Sequence, residues 1–77
     1  MSPTLIKVGN LRVVVYPKDH DPPHVHVIGP EGEAKFALNG FECIFSRGFS
    51  KSDLRQMKTF LREHKALLEE AWDDYQA

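Results

Sequence analysis

The run Asp19-His20-Asp21-Pro22-Pro23-His24-Val25-His26-Val27 gathers three of the chain's four histidines into seven residues, beside two aspartates. Imidazole is the side chain that most readily binds metal, moves protons or pairs with phosphate near neutral pH. On a strand, residues two apart point the same way. His24 and His26 are therefore expected to share one face, with Val25 and Val27 turned to the core. The stiff Pro22-Pro23 pair holds His20 nearby, and Asp19 and Asp21 can ligate an ion or orient a ring.

These residue types admit several chemistries. A metal centre would use His20, His24 and His26, two imidazoles plus a third ligand being the pattern of open zinc sites. That metal is not the favoured reading, and no cofactor is expected. An acid–base site would use His24 and His26, one taking a proton while the other, or a lysine, gives one, with Arg47 holding charge. Metal-free RNA cleavage needs no more than this, because the ribose 2′-hydroxyl is the nucleophile. A third reading is a rigid loop whose imidazoles bond to turn amides or to the aspartates and do no chemistry; a fourth is a protein-binding edge. No nucleophile stands beside the cluster. Cys43 alternates with Phe41 and Phe45 and is expected to be buried as a small apolar residue. Ser46, Ser50 and Ser52 read as caps and turns. His64, Trp72 and Tyr75 read as packing residues.

The elements that must position this cluster follow from local chemistry. Thr4–Val8 and Leu11–Tyr16 are expected strands flanking Gly9-Asn10, a pair suited to a primed hairpin turn. Pro17 ends the second, and residues 18–23 form an irregular polar connection. Val25–Ile28 is a third strand, and Gly29-Pro30-Glu31-Gly32 is turn chemistry. Glu33–Leu38 alternates, so one of its faces is buried. Asn39-Gly40 signals a hairpin into Phe41–Phe45, whose Phe41, Cys43 and Phe45 are expected on one face. After Ser46-Arg47-Gly48-Phe49 the period becomes 3.6. Ser50 with Asp53 makes a capping box with Asp in place of Glu. Leu54, Met57, Phe60, Leu61, His64, Leu67, Leu68, Ala71, Trp72 and Tyr75 then fall in one helical sector. An unbroken helix of that length would be about 40 Å long, more than a domain this small accommodates, so a break or kink is expected near His64. The expected fold is α+β: an antiparallel sheet of four to five short strands (about 4–45) packed against a C-terminal helix or kinked helix pair (about 50–76).

Charge is unevenly laid out. All ten Lys and Arg lie in residues 1–65 with seven of the eleven acids, while residues 66–77 carry Glu69, Glu70, Asp73 and Asp74 and no base. Lys51, Arg55, Lys58, Arg62 and Lys65 form a basic stripe opposite the apolar sector. It is either a solvated face or a contact for an anion such as RNA. Arg47 and Gly48 precede the helix N-terminus, where free amides favour anions. If that terminus neighbours the histidines, Arg47, Lys51, His24 and His26 make a phosphate-sized site. The acidic end would shield the stripe or meet a partner. One cysteine excludes an intramolecular disulfide framework. With 77 residues, no basic-then-apolar leader and no long apolar run, the expectation is one cytoplasmic domain without membrane contact.

The chain resembles a family of small bacterial and phage-associated proteins known as a domain of unknown function (DUF4160-like). The likeness is carried by Tyr16, His20 to Val27, Gly32 to Phe36, Arg47 to Ser50 and Glu70 to Trp72, with motif positions at His20, Pro22, Pro23, His24, His26, Lys35, Arg47, Gly48 and Trp72. The resemblance implies a gene beside a second small protein, in an arrangement like a toxin–antitoxin cassette. It implies a small cognate protein as partner and supplies no catalytic residue. The expected function is therefore a component of such a module that binds or cleaves RNA, alone or as an oligomer. The alternatives are an antitoxin-like interaction protein whose histidine loop is scaffold, and a metal-binding domain.

Overall fold

The computed structural model describes residues 4–16 and 22–76. Five strands, β1 (Thr4–Val8), β2 (Leu11–Val14), β3 (His24–Ile28), β4 (Glu33–Ala37) and β5 (Cys43–Arg47), precede two helices, α1 (Lys51–Glu63) and α2 (Lys65–Gln76). The strands form one antiparallel sheet in chain order. The fold is α+β, as the change of period implies. No helix among the described residues is long and apolar enough to cross a membrane.

Alternation decides which face the helices cover. Val25 and Val27 on β3, and Ala34 and Phe36 on β4, are buried with Val13 and Val15 against Met57 and Leu61 of α1 and Leu68 and Trp72 of α2. We call this side of the sheet the inner face. Arg12, Val14, His26, Lys35 and Phe45 alternate with these residues or pair with one another across strands, and so belong to the outer face. The Gly9-Asn10 turn takes positive φ at Gly9 alone, 56°, the pattern of a turn with glycine first. Between β3 and β4, Gly29 and Gly32 exchange backbone hydrogen bonds of 3.0 and 3.3 Å around Pro30-Glu31.

The helix starts and breaks where local chemistry directs. Ser50 Oγ accepts from the Asp53 amide at 3.0 Å, and Asp53 Oδ2 accepts from the Ser50 amide at 3.1 Å. A cap of this kind contributes about 1 kcal/mol. His64 separates the helices and caps α1, its amide bonding back to Leu61 and Arg62. Its Nδ1–H donates to the Phe60 carbonyl at 3.0 Å. The break keeps two rods of about 20 Å each within a molecule measuring 34 × 26 × 21 Å.

Three expectations require correction. Phe41 does not begin a strand. It lies in the five-residue loop 38–42 with φ 53° and turns into the core. The Asn39-Gly40 signal therefore marks a longer loop, because the buried ring of Phe41 outweighs tight-turn geometry. Cys43 is exposed, and Phe45 does not share its face. A register shift between Lys35 and Phe36 leaves Ile44 as an extra residue, so Cys43 pairs with inward Phe36 while Phe45 pairs with outward Lys35, the effect of a β-bulge. All five β5 residues are exposed, since the helices do not reach this edge. The third correction is Leu67, which the helical sector placed inward and which is exposed; the break at His64 resets the buried side of α2.

Candidate functional site

The histidine pair is built by β3 and closed by α2. Val25 and Val27 anchor β3 from the inner face, which fixes where the alternate side chains go. The Pro23 carbonyl accepts from the Leu38 amide at 2.9 Å, pinning the start of β3 to the end of β4. His24 Nδ1–H donates to the Pro22 carbonyl at 2.8 Å. Because Nδ1 carries that hydrogen, Nε2 is the basic nitrogen of the neutral His24 ring. The ring is 5% exposed, lying 5.3 Å from the Trp72 ring and 5.1 Å from that of His26, centroid to centroid. His26 in turn meets Tyr16 edge-on at 4.8 Å. Trp72, His24, His26 and Tyr16 thus form one chain of rings from α2 to the outer face.

On that face, His26 joins a charged line. Its Nδ1 lies 3.5 Å from Glu33 Oε2, and Glu33 Oε1 lies 3.9 Å from an Arg47 guanidinium nitrogen. Cross-strand register explains the grouping: His26 opposes Lys35 and Glu33 opposes Arg47. Two glycines hold the ends of β4 and β5 together. A Cβ at Gly32 would sit 1.7 Å from the Arg47 carbonyl oxygen, and one at Gly48, where φ is 84°, would sit 2.0 Å from that of Glu31. Only residues without side chains permit this approach, and it brings Arg47 to Glu33.

Arg47 therefore stands on the histidine face, an adjacency that the sequence left open. The other expected anion contacts lie elsewhere. Lys51, Arg55 and Arg62 are exposed and Lys58 half-buried on α1, whose Met57 and Leu61 pack against the inner face. Their helix covers the inner face of the sheet, whereas His26 stands on the outer face. Among the described residues, no ion pair links this stripe to Glu69, Glu70, Asp73 or Asp74. Residues 17–21, including Asp19, His20 and Asp21, lie outside the described residues, and with them the third ligand of the metal reading. Among the described residues there is no group of three His, Cys, Asp or Glu side chains placed to hold a metal ion.

The family described as Domain of unknown function (DUF4160) matches residues 10–73. The chain belongs to this family. The region of this DUF4160 protein that matches runs from the β1–β2 turn into α2, and so takes in the ring chain, Glu33, Lys35 and Arg47. No curated protein and no solved structure matches the chain.

Sequence reasoning passed over Glu33, Arg12 and Phe45 as site residues. The signal for Glu33 was present: it shares parity with Lys35, and the Gly29–Gly32 turn sets it one step from Arg47. Phe45 was hidden by the bulge, which reverses its expected direction.

Proposed function

We propose that this DUF4160 protein binds single-stranded RNA across the outer face of its sheet, as a component of a bacterial toxin–antitoxin-like module. The observation that carries the reading is the composition of that face. Lys7, Arg12, Lys35 and Arg47 share it with the rings of Tyr16, His26 and Phe45, against Glu33, the single acid in the described strands. Tyr16 and Phe45 are exposed, and among the described residues no helix or strand lies over them. Rings on which bases stack, set among cations that meet phosphates, are what sequence-tolerant single-strand binding requires. His24 has a structural part in this account, holding β3 to α2. The exposed acids of α2, Glu69, Glu70, Asp73 and Asp74, are the surface offered to a small basic cognate protein in the same cytoplasm.

The test is the salt dependence of binding to a fluorescent oligouridylate. Three to four phosphate contacts give a slope of roughly −2 to −3 in log K against log salt. A flat response would remove phosphate contact from the account.

A second reading, RNA cleavage, is favoured by the His26–Glu33 pair. A carboxylate beside Nδ1 orients an imidazole, and Lys35 stands opposite on the neighbouring strand. In this reading the His26–Glu33 pair is the part of the face on which cleavage depends. Incubation of RNA with the protein in excess chelator should then yield shortened fragments, and His26→Ala should abolish them. Fragments that persist in His26→Ala would assign cleavage to another group.

A further inference from the structure

A cleft of about 430 Å³ lies between the β1–β2 hairpin and α1, lined without any histidine-face side chain. Val8 and Leu11 form one wall, and Phe49, Met57 and Phe60 form the other. Val8 stands 44% exposed at its lip, and Leu11, Phe49 and Phe60 are only partly buried against the core. The volume falls within the roughly 300–1,000 Å³ of small-ligand sites, which are likewise mostly apolar with a few polar groups that fix orientation. Here the charged polar groups are two carboxylates, Glu31 and Asp53, beside the amides of Asn10 and Gln56. Among the described residues neither carboxylate has a Lys, Arg or His nitrogen within 4.0 Å. Asp53 uses Oδ2 for the helix cap.

We propose that this cleft binds an organic ammonium ion with an apolar body. The body lies among Leu11, Phe49, Met57 and Phe60, and the ammonium meets Glu31 and Asp53. Charge complementarity selects this class. An apolar anion would bring its charge to two carboxylates, and a neutral apolar molecule would leave both without a counter-charge. The rings of Phe49 and Phe60 add cation–π attraction for a cation close to their faces. The site is independent of RNA binding on the opposite side of the sheet.

The test titrates isotope-labelled protein with three probes of one chain length, octylammonium, octanol and octanoate, followed by NMR of the Leu11 and Met57 methyls and the Phe49 and Phe60 rings. Octylammonium is expected to bind about tenfold more tightly than octanoate, equivalent to about 1.4 kcal/mol, with shifts confined to the cleft. In Glu31→Gln with Asp53→Asn that preference should vanish, since the side-chain oxygen that caps α1 is retained while both charges are lost. If the double variant fails to fold, Glu31→Gln alone decides: a loss of about threefold or more supports the site, and no loss overturns it. Absence of octylammonium binding, equal or tighter octanoate binding, or shifts centred outside the cleft would each overturn the proposal.

Discussion

Gly32→Ala is expected to lower the melting temperature by at least about 16 °C. The added methyl would lie 1.7 Å from the Arg47 carbonyl oxygen, 2.7 Å from its carbon and 2.9 Å from the Gly48 Cα. All three atoms are backbone, so no rotamer change relieves the overlap. Relief requires the end of β5 to leave β4, which breaks the Glu33–Arg47 register and moves the start of α1. Backbone displacement of this kind belongs among the rare substitutions that cost about 4 kcal/mol or more. In a domain of this size each kcal/mol corresponds to roughly 4–8 °C. Circular dichroism melts of wild type and variant measure it. A shift under about 5 °C would mean that the two segments are not in the contact described.

Trp72→Ala is expected to cost about 3–5 kcal/mol, the range for removing a buried aromatic. Small domains have a total stability of about 5–15 kcal/mol, so the variant would stand near unfolding in water. Trp72 is a core residue of α2, and its ring is also the partner of His24. Its removal therefore loosens both the second helix and the base of the ring chain. Trp72→Phe keeps an aromatic surface against His24 and should recover more than half of the loss. Urea denaturation monitored by circular dichroism separates the two. A Trp72→Ala cost under about 1 kcal/mol would show that α2 does not close the core.

Periodicity made much of this architecture legible. Val25 and Val27 against Ala34 and Phe36 announced which face is buried, and Ser50 with Asp53 announced the helix start. The mismatch between about 40 Å of helix and a small domain announced the break at His64 without proline or glycine to mark it. What remained hidden depends on contacts between distant segments. Phe41 sits at positive φ because the core accepts its ring, a trade no local pattern records. Cys43 pairs with inward Phe36 and is still exposed, because orientation does not say how far the helix layer extends. The same limit applies to the histidines. Their shared direction was readable from spacing of two, but Trp72 lies 48 residues beyond His24 in sequence, and its contact buries one ring of the pair and leaves the other at the charged face. Arg47 was legible as a residue before a helix start, whereas its place beside Glu33 required the register of β4 and β5.

Two basic surfaces therefore exist on opposite sides of the molecule, and the account assigns RNA to the sheet. The most direct test compares the affinity of one single-stranded RNA for two variants at one salt concentration. Tyr16→Ala with Phe45→Ala removes stacking surfaces without changing charge. Lys51→Ala with Arg55→Ala and Arg62→Ala removes three cations from α1. Stacking on an aromatic side chain contributes about 1–3 kcal/mol per base, so the first variant should weaken binding by at least about thirtyfold. The second should weaken it by less than about threefold, the modest effect of distant screened charge. The reverse result, with RNA lost from the α1 variant and retained by the aromatic one, would contradict the assignment of RNA to the outer face of the sheet.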